Sequence, residues 1–198
     1  MRDPEKGACG STAHAPQGYT DSRSVLLQFR RIEAQLPKSG LPDSVRHLRT
    51  DELKPLREMR EACIFVYGMG QRFGVALAES QDYDAVATWV EGRSQHFAPI
   101  QLKEVIPHKL NPTSSVQAAV DGLAKYVDSQ DLTVAIHLNR LEHFSPLNIV
   151  VPQLNIAALW IFAAIAPDQS RWPIWGNFLE QLQVGEFDYP TPTPADAQ

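Results

Sequence analysis

Between Phe73 and Leu138 the apolar pattern changes period twice, and this constrains the fold more than any other feature of the chain. Phe73-Gly74-Val75-Ala76-Leu77-Ala78 alternates with period two and is read as a strand. Tyr83 to Val90 is a second strand, and the short Ser80-Gln81-Asp82 link makes the two an antiparallel hairpin. After the turn Gly92-Arg93-Ser94, Phe97 to Ile106 is a third strand. Helical spacing then returns. Asn111-Pro112-Thr113-Ser114 starts a helix whose inward stripe is Val116, Ala119, Val120, Leu123, Tyr126 and Val127. Leu132 to Leu138 is a fourth strand. A strand, a helix of about four turns and another strand predict a parallel crossover. An antiparallel meander leading into a parallel crossover requires a mixed sheet.

The flanking segments supply the layers that cover this sheet. Ser24 to Leu36 is read as a helix with Val25, Leu26, Phe29, Ile32 and Leu36 on one face, ended by Pro37 and Gly40-Leu41-Pro42. A second helix is capped by Thr50, turns Leu53, Leu56, Met59, Cys63 and Val66 inward, and stops at Gly68-Met69-Gly70. Asn148 to Val151 reads as a short fifth strand, and Pro152 opens a helix over Ile156 to Ala166 that is buried on most sides. The predicted fold is α/β, with a mixed central β-sheet flanked by helices. One domain is expected over 23–188, with a disordered arm at 1–22 and a Pro-rich disordered tail at 189–198.

Composition narrows the function classes. The 198 residues carry a formal charge of −5, so nothing in the overall balance advertises nucleic acid. A local basic stretch exists in Arg30, Arg31, Lys38, Arg46, Lys54, Arg57 and Arg60, which reads either as a modest nucleic-acid face or as the solvated sides of helices. Cys9 and Cys63 make neither a disulfide framework nor a zinc motif, and a reducing cytoplasm fits them. The charged start, Met1 to Lys6, has no apolar run behind it and does not resemble a secretory signal. The apolar run 156–166 is far short of the ~20 residues that span a bilayer, so no membrane contact is expected. Trp160, Trp172 and Trp175 crowd the C-terminal third; they read as core, or as an interface for a protein partner or a second copy.

Chemistry concentrates on the second and third strands. Side chains alternate along a strand, so Gln101 and Lys103 share one face while Ile100 and Leu102 share the other. If these two strands pair, Asp84 approaches both polar residues. A carboxylate and an amide oxygen are hard donors suited to Mg²⁺ or Mn²⁺. A lysine beside them can orient a water or stabilise phosphoryl charge. Gly68-Met69-Gly70-Gln71-Arg72-Phe73-Gly74 precedes a strand and lacks the Lys-Ser/Thr of a phosphate loop, so it reads as a helix stop. His137 and His143 have neither metalloprotease nor finger spacing, and His96 and His108 flank the third strand as loop residues.

This arrangement resembles the PD-(D/E)xK superfamily, the restriction-endonuclease-like nucleases, over about 58–139. The resemblance rests on a helix bearing Glu58 and Glu61, the hairpin with Tyr83-Asp84, the run Gln101-Leu102-Lys103, and a helix leading to a strand. It departs from the family in having Tyr83 before the aspartate and Gln101 in place of an acid, which removes one negative charge from the site. The resemblance implies a metal-dependent nuclease acting on DNA. Asp84 and Gln101 would be metal ligands and Lys103 the catalytic lysine, with Glu61 as a further ligand and Glu58 or Glu79 as its alternatives. The competing expectation is a catalytically inactive module of the same fold in a mobile-element, repair or defence assembly.

Overall fold

The computed structural model describes residues 18–36, 39–70, 73–77, 82–140 and 142–193. Strict alternation in the middle of the chain resolves into the expected meander. β2 (Gly74–Leu77), β3 (Ala85–Glu91) and β4 (Ser94–Val105) pair antiparallel in sequence. Gly92 makes the tight turn between β3 and β4 with φ of 62°, a left-handed conformation that costs glycine little. A short edge strand β1 (Thr20–Asp21) pairs with β2, inside the segment read as a disordered arm.

The parallel crossover is as expected, but its helix is shorter than the predicted four turns, and Val127, expected to face inward, is exposed. β4 is followed by helix α4, numbered after three earlier helices described below and spanning Val116–Asp121, with a 3-10 turn to Lys125. The chain returns as β5 (Ser129–Leu138), parallel to β4. The sheet then continues through three more strands. β6 (Ile156–Ala163) is parallel to β5, and β7 (Arg171–Gly176) and β8 (Gln183–Asp188) close it antiparallel. The eight strands lie side by side in chain order. The architecture is α/β with a mixed sheet.

Helices α1 (Ser22–Gln35) and α3 (Lys54–Met69) pack on one face, with a one-turn α2 (Asp43–Arg46) between them in sequence. The Asp21 carboxylate caps α1 by accepting from the Ser24 backbone N–H at 2.8 Å. Leu26, Phe29, Cys63, Phe65 and Val66 meet Ile100, Leu102, Ala135, Phe162 and Trp172 in this first core. The second core, on the other face, joins α4 to Val105, Val134, Ile136, Leu159 and Ile161. Ile32 and Leu56, expected to face inward, are largely exposed. Helix α3 ends at Gly70 in extended backbone, with φ of 176°, so its stop is not a left-handed glycine. Gly68 serves a different end: a Cβ there would lie 2.8 and 2.9 Å from Cδ1 and Cζ of Phe187, so only glycine lets β8 approach this closely.

Two expectations are overturned. Residues 156–166 do not form a helix. Leu159 and Ile161 enter the second core while Trp160 and Phe162 enter the first. Both faces of β6 are covered, so no polar residue is needed at alternate positions and the run reads as uniformly apolar. Residues 148–151 form no strand; a 3-10 turn at Pro146–Asn148 leads into Ile149 and Val151, which pack on the second core. The three tryptophans are core material, with Trp172 fully buried and Trp160 and Trp175 packed against the two clusters. Tyr189, placed in the tail by sequence, is buried and donates its hydroxyl to the Leu26 carbonyl at 3.1 Å. Among the described residues, no helix is long and apolar enough to cross a membrane.

Candidate metal-binding site at the open edge of β4

The site forms where one strand outruns its neighbour. β3 begins at Ala85, opposite Ile100, while β4 runs on to Val105. Residues 101–105 therefore have β5 on one side and no paired strand on the other. Asp84 fills the first part of this gap. Its backbone N–H donates to the Ile100 carbonyl at 2.9 Å, and its Oδ2 accepts the Leu102 N–H at 2.7 Å. The carboxylate thus stands in for the backbone carbonyl that a longer β3 would supply.

Alternation along β4 brings the expected partners to this carboxylate. The Gln101 amide nitrogen donates to Asp84 Oδ2, and its Oε1 accepts from the Tyr126 hydroxyl at 3.1 Å. Lys103 Nζ lies 5.8 Å from the centre of the Tyr126 ring, within cation–π reach, and Lys125 Nζ lies 5.2 Å from the same ring. Lys103 is half-buried. Burial holds its ammonium below the usual lysine pKa; Asp84 works against this shift and Lys54 adds to it. Asp84 and Gln101 therefore meet, and Lys103 shares the Gln101 face within the field of Asp84 but makes no ion pair with it. Tyr126 joins them, although its sequence position marked it as part of the α4 stripe. The helix breaks off before it, so the ring packs on the second core while its hydroxyl reaches Gln101.

Beside this group is an open depression of about 420 Å³, bounded by Asp82, Tyr83, Pro99, Asp128, Asp131 and their neighbours. Pro99 alternates in phase with Gln101 and Lys103, so the depression opens on their face of the sheet. Its acidic rim suits a cation better than a bare phosphate.

Glu61 is not part of this site. Glu104 alternates out of phase with Lys103 and projects to the α3 face, where ligand atoms of Glu61, Glu104 and His137 lie within 4.8 Å of one another. Glu61 is buried and spent on His137, with Oε1 at 3.3 Å from Nδ1. Glu79 lies outside the described residues. Glu58 forms an ion pair with Lys54 at 3.3 Å, and Lys54 is the residue whose charge reaches Lys103. Glu58, like Glu61, lies on α3, which packs on the Ile100 and Leu102 face of the sheet, opposite Gln101 and Lys103.

The buried Glu61–Glu104–His137 group has the donor types of a transition-metal site, but its charges are already matched. Arg49 grips Glu104 through two parallel hydrogen bonds of 2.7 and 2.5 Å, and Asn139 adds a third of 2.6 Å. Desolvation raises the Glu104 pKa. The bonds from Arg49 and Asn139 and the fields of His137 and Arg49 outweigh it, and the net shift is downward. This group ties the loop before α3 to the ends of β4 and β5. Sequence reasoning missed it, although the alternation that paired Gln101 with Lys103 also sends Glu104 to the helical face.

The basic stretch of the first helices is largely consumed within the fold. Arg30 bonds the Asp168 carbonyl, Arg57 the Leu48 carbonyl, and Arg60 both Glu33 and Gln169. None of the protein-family models, characterised proteins or solved structures compared with this chain matches it.

Proposed function

We propose that the protein is a restriction-endonuclease-like phosphodiesterase that cleaves DNA with Mg²⁺ or Mn²⁺. The observation that carries this reading is the contact of Asp84 with Gln101 at an open strand edge, with Lys103 on the same face of β4 as Gln101 and within the field of Asp84. The order of elements supports it: helix α3, the β2–β3–β4 meander, α4, then the parallel strand β5.

The donor set fits the ion. Asp84 and the Gln101 amide offer hard oxygens, and Mg²⁺ takes few protein ligands and keeps several waters. Gln101 now turns its nitrogen to Asp84, so an N–H dipole sits where a positive charge is wanted. The Tyr126 hydroxyl accepts as well as donates, so either orientation of the amide is satisfied. When bound, the ion would neutralise phosphate charge and acidify a water. Lys103, with its depressed pKa, holds and orients that water and donates to the phosphoryl oxygens.

The test is cleavage of plasmid and linear DNA with each metal. Lys103→Ala should keep the circular-dichroism spectrum and lose about 10²-fold or more in rate. A Lys103→Ala protein as active as the parent refutes these roles. One observation favours the alternative reading of an inactive interaction module: the Asp84 carboxylate already has two donors and only one acid faces the site. Under that reading, calorimetric titration with Mn²⁺ gives no site-dependent heat, whereas the nuclease reading requires binding that Asp84→Asn abolishes.

A further inference from the structure

The buried group of Glu61, Glu104 and His137 uses no residue of the proposed cleavage site. Each member comes from a different rigid element: Glu61 from α3, Glu104 from β4 and His137 from β5. Glu104 projects to the opposite face of β4 from Gln101 and Lys103, so the sheet separates the two sites.

The match of charges within this group is uneven. Arg49 and Asn139 bond Glu104, and Arg49 reaches Glu61 only through its field. Among the described residues, the buried Glu61 side chain bonds only the His137 imidazole. That contact, 3.3 Å from Oε1 to Nδ1, is longer than the about 2.7–2.9 Å of a tight charge-assisted bond. Two buried carboxylates thus share one guanidinium, and burial makes the remaining negative charge costly unless a cation meets it.

The spacing suits a metal ion. Zn²⁺ takes carboxylate oxygen and imidazole nitrogen at about 2.0–2.2 Å in a tetrahedron, which sets neighbouring donors about 3.3–3.6 Å apart. Glu61 Oε1 and His137 Nδ1 already stand at that separation, and the three ligand atoms all lie within 4.8 Å of one another. A carboxylate has about four lone-pair sites; Arg49 and Asn139 take three at Glu104, which leaves one. The ligands are also held in place by a second layer of contacts. The imidazole stacks on Phe162 at 5.0 Å and leans on Trp172 at 5.6 Å, while Glu104 is fixed by its three donors. His137 and Asn139 line a cavity of about 100 Å³ at the carboxyl ends of β5 and β6. Asn139 spends its N–H on Glu104, so its amide oxygen remains as an acceptor on the wall. The cavity has room for a metal-bound water in the fourth position.

We propose that Glu61, Glu104 and His137 bind Zn²⁺, with a water from the cavity as the fourth ligand. The imidazole donor and the general order of divalent affinities favour Zn²⁺ over Mn²⁺ here. The inference stands apart from the nuclease reading, because it needs neither Asp84 nor DNA cleavage.

The test is calorimetric titration of the chelator-treated full chain with Zn²⁺, carried in Asp84→Asn so that the cleavage site contributes nothing. Asp84→Asn should bind one equivalent, and Zn²⁺ should raise its Tm. Co²⁺ in place of Zn²⁺ should give the visible absorption of a four-coordinate site with nitrogen and oxygen donors. Adding Glu61→Gln keeps an acceptor for His137 but removes the charge. It should weaken Zn²⁺ binding about tenfold or more, abolish the rise in Tm and remove the Co²⁺ bands. Adding His137→Gln should do the same; Glu61→Gln carries the test if His137→Gln does not fold. A purely structural role for the group predicts no effect of Zn²⁺ on Tm in any of these proteins. No stoichiometric Zn²⁺ binding by Asp84→Asn overturns the proposal. Binding undiminished by Glu61→Gln, or by a folded His137→Gln, also overturns it and places the ion elsewhere, on exposed histidines such as His108 and His143.

Discussion

Asp84 has two separable duties, and a pair of substitutions tells them apart. As a structural acceptor it holds the Leu102 N–H at 2.7 Å and the Gln101 amide. Asp84→Ala leaves a partly buried backbone donor unsatisfied, which costs about 1–3 kcal/mol, and deprives the Gln101 amide of a charged acceptor. Part of the second loss is recovered from water, because Asp84 itself is only half-buried. The sum is about 2–4 kcal/mol, or a fall in Tm on the order of 5–15 °C for a domain of this size. Asp84→Asn should cost less than about 1 kcal/mol. Its Oδ1 can take the place of Oδ2, the one oxygen that accepts from both the Leu102 N–H and the Gln101 amide. Both variants remove the carboxylate that a divalent ion needs, so both should lose metal-dependent cleavage. Urea denaturation with a common m-value measures the first duty, and cleavage with Mg²⁺ the second. An Asp84→Asn protein destabilised as much as Asp84→Ala refutes the hydrogen-bond reasoning, and one that still cleaves DNA refutes the metal assignment.

Glu104 links stability to acid pH. Its pKa in the folded protein lies below the ordinary 4.5, so its contribution is complete above that value and is lost as pH falls through the lower, folded one. Glu104→Gln should cost about 3 kcal/mol at neutral pH, because it strands Arg49, and should flatten the loss of stability below pH 4.5; urea midpoints across that window check both. Gly68→Ala should destabilise by about 1–3 kcal/mol against the Phe187 ring, yet in a Phe187→Ala background it should stabilise by up to about 1 kcal/mol through helix propensity. A double-mutant cycle measures the reversal, and additivity contradicts the contact. Burial pushes the Cys63 thiol up to about 12, so a Cys9→Ser protein should give no thiol titre with a disulfide reagent at pH 8 until it is unfolded.

The meander and the crossover were legible because turn residues at 80–82 and 92–94 punctuate short apolar runs, and α4 restores a period of 3.6. The site was legible because the parity that separates Gln101 and Lys103 from Ile100 and Leu102 is a property of the strand itself. Glu61 was misplaced because a helix gives no such parity relative to a sheet edge. Its azimuth depends on how α3 crosses the sheet, and the helix turns Glu61 toward His137. Arg49, Glu104 and Asn139 come from three segments, and only the closing of the sheet against the loop before α3 brings them together.

The most instructive misreading is β6. An apolar run of this length satisfies a buried helix and a central strand equally, because neither has a solvent face to impose a period. The deciding information is what lies on each side. β5 is covered on both faces, since Ala135 enters the first core while Val134 and Ile136 enter the second. Its far edge therefore needed a partner that could be buried on both faces too. Residues 156–163, with Trp160 and Phe162 on one side and Leu159 and Ile161 on the other, are the next stretch of the chain that meets that demand. The two-sided burial that makes this segment ambiguous when read alone also makes it the natural neighbour of β5. The same addition creates the crevice that His137, Asn139 and Gln169 line at the carboxyl ends of β5 and β6.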